Sequence, residues 1–235
     1  PGFAWPQYLD AAGLGGRPEL MVAQLSYMKQ IGAIVDEFPL AAWQDYLRYH
    51  ALNEAAPWLS SEFEQANFEF MQREVFGLAE LAPEWKRAVR AIDALAGEAV
   101  GQVYVERYFP EDHKQAMLGL VGNLLEAFRA GITELEWMSP ETRAKAEAKR
   151  ARLATKIGYP DKWRDYAGLE IRADDPLGNL ARASAFDYRY QLAKLDQPID
   201  RAEWSMTPQT VNAYHQPFMN EIVFPAGFLQ PPNFN

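Results

Sequence analysis

The 235-residue sequence contains no cysteine. That excludes a disulfide framework, a thiolate metal site and a cysteine nucleophile. Histidine is nearly as scarce, with three in all. No stretch approaches the roughly 18 uncharged residues a membrane helix requires, and neither a glycine-rich phosphate loop nor a G-x-S-x-G serine elbow occurs. Basic residues are outnumbered 32 to 23, a formal charge of -9, which argues against a partner recognised through nucleic-acid phosphates. What is present is ordinary for a folded protein: 49% hydrophobic residues, 23% charged, and an aromatic share of 13% that supplies apolar volume for a core. The chain opens at Pro1 without a methionine or an apolar leader, read as the mark of processing or truncation.

Periodicity predicts helices in succession. Leu20, Ala23, Tyr27, Ile31, Ile34 and Phe38 recur at helical steps after Pro18, and Pro39 stops them. Trp43, Leu47 and His50 continue the pattern to Pro57. Ser61 with Glu64 has the form of a capping box, ahead of Phe63, Asn67, Phe70 and Met71. Pro83 opens a run through Trp85, Val89, Ile92, Ala96 and Val103, and Pro110 another through Met117, Leu124 and Leu135. Ser139-Pro140 reads as a cap followed by a first-turn proline, and the charged helix behind it is expected to run on until Gly158 and Pro160. An irregular stretch to Asp175 and a last helix over Leu177–Leu195 complete the helical part. From Thr207 the texture changes: Val211–Tyr214 and Glu221–Phe224 are β-prone, with a polar, proline-containing turn between them. The residues from Pro225 to Asn235 are expected to be loop. The fold class is therefore mainly α, a multi-helix lobe followed by a short β-hairpin. Because a lone two-stranded ribbon is marginal in water, further sequence is expected after Asn235.

Most polar clusters have an ordinary structural reading. His50 and Glu54 share helical spacing, but His50 falls on the apolar stripe and no third ligand is in view, so a hydrogen-bonded structural histidine is expected. His113 stands in an acidic helix start, as a solvated residue. The bases from Arg143 to Arg152 are interspersed with Glu141 and Glu147, which fits a solvated face with local ion pairs. The hairpin is different. Asn212 is a poor strand former, and an edge strand offers unpaired N–H and C=O groups to which an extended peptide can add. An amide there can donate to one guest carbonyl and accept from one N–H, although it can equally serve to bridge a turn.

The segment VNAYHQPFMNEIVFPAGFLQPP resembles the one just before the zinc-binding helix in the neprilysin and endothelin-converting-enzyme family of zinc metallopeptidases, which includes bacterial oligopeptidases. WKRAVRAIDALAGEAVGQVYVERYF, WMSPETRAKAEAKRARLATKIGYPDKW and NLARASAFDYRYQL resemble further family blocks in order, so the likeness covers essentially the whole chain. It implies two lobes around a cavity, with residues 1–175 the later part of a helical gating lobe and 176–235 the start of a thermolysin-like catalytic lobe. In that lobe, 211–224 would hold the substrate-aligning edge strand. It implies that Asn212 and Ala213 bind the main chain of small peptide substrates and that Phe228 helps line the apolar pocket beyond the scissile bond. His215 would occupy a variable turn position and carry no metal.

The family's HExxH motif, whose histidines bind zinc and whose glutamate activates water, does not occur here, and Pro231-Pro232-Asn233-Phe234 departs from the family's PPFF. Glu170 and Asp174 match the spacing of the family's later ExxxD motif by coincidence. The resemblance thus implies a fragment of a zinc endopeptidase that cleaves on the amino side of apolar residues. The zinc ligands and the rest of the catalytic lobe would lie outside this chain, which alone would bind no zinc and hydrolyse nothing. A non-catalytic, helical peptide-binding module of the same ancestry is the alternative. The lack of cysteine leans toward a bacterial source, periplasmic or secreted.

Overall fold

The computed structural model describes residues 3–234; the expectations placed on Pro1 and Asn235 lie outside them. The fold is mainly helical with one small sheet. In chain order the elements are α1 (Trp5–Ala11), α2 (Leu25–Glu37), α3 (Leu40–Ala55), α4 (Ser61–Asn67), α5 (Glu84–Tyr108), α6 (Glu111–Glu134), α7 (Pro140–Arg150), β1 (Ala154–Gly158), α8 (Pro176–Lys194), β2 (Tyr214–Gln216) and β3 (Glu221–Pro225). The described residues form two compact units. One holds residues up to Ala82 together with Arg172–Ala181 and Tyr188–Leu192. The other holds Pro83–Ile171, Arg182–Asp187 and the residues from Ala193 onward.

In the first unit, Pro18 does not open a helix. Residues 17–24 are irregular and α2 begins at Leu25. Pro39, read as a stop, also serves as the N-cap of α3. The Trp43 indole N–H donates to the Val35 carbonyl at 3.3 Å, bracing the α2–α3 corner. The expected capping box is displaced by one residue: Ser60 is the N-cap of α4 and makes no side-chain capping bond. Phe68–Val75 then continue α4 as a π-helical segment, and Asn67 donates to the Asn53 side-chain oxygen at 2.7 Å. The Tyr188 hydroxyl of α8 donates to the Ala12 carbonyl at 2.6 Å.

The second unit holds the core and the sheet. Pro83 and Pro110 cap α5 and α6 as the sequence indicates. Ser139 Oγ accepts from the Thr142 N–H at 3.2 Å, with Pro140 in the first turn. The α7 helix, however, ends at Arg150. After two turn residues, Ala154–Gly158 pairs in parallel with β3. The expected two-stranded hairpin is thus three strands in the order β1-β3-β2, with β3 central and β2 antiparallel at an edge. The helical reading of this stretch failed because KRARLA keeps helical composition up to the boundary. The strand ends at Gly158, whose φ of +80° suits glycine. A β-carbon there would lie 2.5 Å from the buried Phe109 ring. Around that ring cluster Met117, Val121, Ile157, Ala226 and Leu229, which join α6, β1 and the turn after β3 into one apolar core.

The opposite sheet face is also covered, and beside the fully buried Val223 it carries an ion pair. Lys156 Nζ lies 2.9 Å from the carboxylate of Glu221, which is only 2% exposed, and donates to the Glu203 carbonyl at 2.9 Å. The Tyr214 hydroxyl accepts from the Ser205 N–H at 2.9 Å. A buried glutamate is tolerable only in such a bonded pair, here with the half-buried Lys156.

Candidate peptide-aligning edge at β2

The site is built from the turn that precedes β2. Thr207, Pro208 and Gln209 lie on α5 where it carries Gly97 and Gly101; β-carbons at these glycines would each lie 2.7 Å from Thr207 Cγ2 and Pro208 Cδ respectively. The turn closes on itself through Thr210 N–H to Thr207 O at 3.0 Å. The Gln209 amide nitrogen donates to the Asp93 carboxylate and, at 2.9 Å, to the Gly97 carbonyl. The helix is broken at this point: Ala96 has φ -148° and ψ 46°. Nearby, the Glu98 N–H donates to the Tyr166 hydroxyl at 3.3 Å, and the Glu98 carboxylate accepts from the Arg164 N–H at 2.8 Å. A break in the i→i−4 ladder leaves backbone groups that need other partners, and Gln209 and Tyr166 serve them. Burial pushes the Tyr166 hydroxyl pKa up, partly offset by that backbone hydrogen bond.

On its other side the turn grips the chain after β3. The Gly227 N–H donates to Pro208 O at 2.7 Å, and a β-carbon on Gly227 would meet the backbone of Gln209 and Thr210. Neither Gln209 nor Gly227 stood out in the sequence. The available signal was a glycine set among apolar residues in FPAGFLQ, where close backbone approach is the usual reason for glycine.

The fixed turn launches Val211, Asn212 and Ala213. Asn212 and Ala213 stand immediately before β2, whose pairing begins at Tyr214 opposite Val223; the strand is shorter and later than the expected Val211–Tyr214. Asn212 is exposed and Ala213 half-buried. The Asn212 side-chain oxygen accepts from the Ala213 N–H at 2.8 Å, which leaves its two amide N–H donors directed elsewhere. Phe228 follows β3, packs on the edge of the core, and lies 6.2 Å from the Phe224 ring. Continuing the β2–β3 register backward sets Ala213 level with Phe224, so Asn212, Ala213 and Phe228 gather at one end of the hairpin. Along β2, Tyr214 and Gln216 turn inward and His215 is exposed. Burial raises the Tyr214 pKa, more than its Ser205 contacts lower it.

The histidines stand apart. His50 is exposed, not the structural hydrogen-bonded residue expected, and its ring lies 4.3 Å from that of Tyr46 at a tilt of 59°, because the α3 face it shares with Trp43 and Leu47 is largely uncovered. His113 is exposed near Phe109. The bases of α7 form ion pairs, Lys145 with Glu141 at 2.7 Å and Arg150 with Glu147 at 2.6 Å, while Arg143 donates inward to the Leu135 carbonyl at 2.7 Å. Among the described residues, no three His, Cys, Asp or Glu side chains converge on a point that could hold a metal ion. No described helix is long and apolar enough to cross a membrane.

Comparison with known proteins gives this geometry its context. The crystal structure of Mycobacterium tuberculosis zinc metalloprotease Zmp1 in complex with inhibitor superposes with a TM-score of 0.91 at 44% identity, covering 100% of this chain and 36% of that one. PepO from Lactobacillus rhamnosis gives 0.77 at 27% identity over 98% of this chain and 39% of its own. The endothelin-converting enzyme homolog of Locusta migratoria is 32% identical across 81% of this chain and 27% of its own length. Mouse neprilysin is 28% identical across 99% and 33%. The chain thus spans about a quarter to two fifths of the length of these relatives. Residues 1–160 match the model of peptidase family M13, and the chain belongs to that family.

Proposed function

We propose that this chain is the substrate-aligning part of a zinc metalloendopeptidase that cleaves small peptides on the amino side of apolar residues. Residues 1–175 act as the later part of its access-restricting lobe, and residues 176–235 as the start of the catalytic lobe. An extended peptide lies along the outer edge of β2. Main-chain pairing holds it with little regard to sequence, the free amide donors of Asn212 bind one of its carbonyls, and the small side chain of Ala213 lets it approach. Phe228 narrows the pocket for the apolar side chain. Zinc supplies a metal-activated water when bound, on ligands outside this chain. One observation supports the reading: β2 (Tyr214–Gln216) is an edge strand with no strand partner on its outer side among the described residues, and the residues that lead into it are held in place through Gln209 and Gly227. In the complete enzyme, Asn212→Ala is expected to lower kcat/KM by an amount equivalent to about 1–3 kcal/mol, the loss of one hydrogen bond in a desolvated site. An unchanged kcat/KM would remove Asn212 from this role.

A further inference from the structure

At the other end of the hairpin, the turn Pro217–Asn220 and the C-terminal half of α7 enclose a groove of about 690 Å³ lined by Lys145, Ala148, Lys149, Arg152, Arg201, Phe218, Met219 and Asn220. Its walls are tied together. Asn220, held at φ 52°, donates through its amide to the Lys149 carbonyl at 3.0 Å, and its own carbonyl accepts from the Ala154 N–H at 3.0 Å. Arg201 donates one guanidinium N–H to the Met219 carbonyl at 3.0 Å, which fixes that cation at the rim.

Four cations and no acid line this groove, in a chain of net charge -9. Lys145 is paired with Glu141 outside it; Lys149, Arg152 and Arg201 form no ion pair among the described residues. Cations gathered in a concavity focus field and favour an anionic guest more than scattered ones do. Next to them Phe218 is 96% exposed, an apolar ring that a bare inorganic anion would leave wet. Lys145 and Lys149 repeat along α7 at about 6 Å, close to the roughly 7 Å between alternate side chains of an extended chain.

We infer that this groove binds an extended acidic peptide segment with carboxylates at alternate positions and an apolar residue that covers Phe218. It is a second peptide contact, remote from Asn212 and independent of pairing at β2.

The test is fluorescence anisotropy with the 235-residue chain and a labelled peptide of about ten residues, with glutamate at alternate positions and one phenylalanine. A control peptide carries glutamine in place of each glutamate. The acidic peptide is expected to bind at least about tenfold tighter than the control, and the preference to shrink between about 50 and 200 mM salt. Lys149→Glu with Arg152→Glu abolishes the preference, and the milder Lys149→Gln with Arg152→Gln reduces it; all these positions are exposed, and melting curves verify the fold. Phe218→Ser weakens binding severalfold and leaves the salt dependence intact. Asn212→Ala leaves the preference for the acidic over the glutamine peptide unchanged, which separates this groove from the β2 edge. Equal binding of the glutamine peptide, insensitivity to both double variants, or displacement by pyrophosphate at concentrations matching the peptide would overturn the inference. So would binding by the 235-residue chain but not by the complete parent protein, which would assign the groove to a segment of the parent itself.

Discussion

A β-carbon on Gly227 would lie 2.5 Å from the carbonyl oxygen of Gln209 and 2.7 Å from its carbonyl carbon. Neither is the end of a flexible side chain, so nothing can swing aside. The two segments touch because the Gly227 N–H reaches Pro208 O at 2.7 Å, and this contact sets where the chain emerges toward Asn212. Gly227→Ala is therefore expected to cost about 1–3 kcal/mol, the range for overpacking, in urea unfolding of the chain. The displaced turn should also quicken amide exchange over residues 211–216. Gly119→Ala is the control. It sits exposed within α6 with nothing within 4 Å of the added carbon, and should stabilise by roughly 0.5–1 kcal/mol through helix propensity alone.

Gln209 itself can be removed without touching that packing. Its amide satisfies Asp93 and the Gly97 carbonyl at the break in α5. Gln209→Leu keeps volume but strands both acceptors, an expected loss of about 1–3 kcal/mol. Gln209→Glu should be worse near neutral pH, since it sets a carboxylate against Asp93, and should recover part of the difference as acidification protonates one of the pair. Urea midpoints for the two variants at neutral and acid pH test this: a glutamate variant as stable as the leucine one at neutral pH would contradict the latch.

Helices with proline or capped starts were legible in the sequence because local chemistry decides them: Pro83, Pro110 and Ser139-Pro140 open α5, α6 and α7 as read. The sheet was legible only in part. β1 depends on a partner more than sixty residues away, Ala154 with Glu221 through Gly158 with Pro225, and Ala154–Thr155–Lys156 carries no alternation of its own. The start of α2 failed for a related reason, since an apolar repeat from Leu20 onward does not show which turns find a partner; Met21 is fully exposed. Asn212, Ala213 and Phe228 drew notice as residue types in a β-prone context and through a family likeness. Gln209 and Gly227, which fix the approach to β2, did not. Their role comes from tertiary contact between segments that no local pattern links.

The pair between Lys156 and Glu221 offers a sharp energetic test. Lys156 reaches both carboxylate oxygens at 2.9 Å on the covered face of the sheet. Lys156→Met leaves the Glu221 carboxylate without its cation at a site with almost no water, an expected cost of about 3–5 kcal/mol. Adding Glu221→Leu removes the stranded charge, so the double variant should regain most of that loss. Chemical denaturation of the two singles and the double, read as a cycle, checks it: additive costs would mean the two side chains do not depend on each other.

Burial raises the hydroxyl pKa values of Tyr104, Tyr159, Tyr166 and Tyr214 above the ordinary tyrosine value of 10.0. For Tyr159, the hydrogen bond to the Glu111 carboxylate at 2.8 Å adds to the same direction. The sign follows from linkage. Below pH 10 both folded and unfolded chains hold these protons, and the stability they carry is fully present. Above it the unfolded chain releases them first, so stability falls as pH rises from about 10 through the folded-state values. A tyrosinate absorbance titration should accordingly show a late-ionising group of tyrosines, with the late amplitude reduced in Tyr214→Phe. The same variant should lose stability less steeply above pH 10 than the unaltered chain, while below that pH it gives up the bond from the Ser205 N–H, roughly 0.5–1.5 kcal/mol. Ionisation of all tyrosines together near pH 10 in the folded chain would show that the covered face of the sheet is open to water.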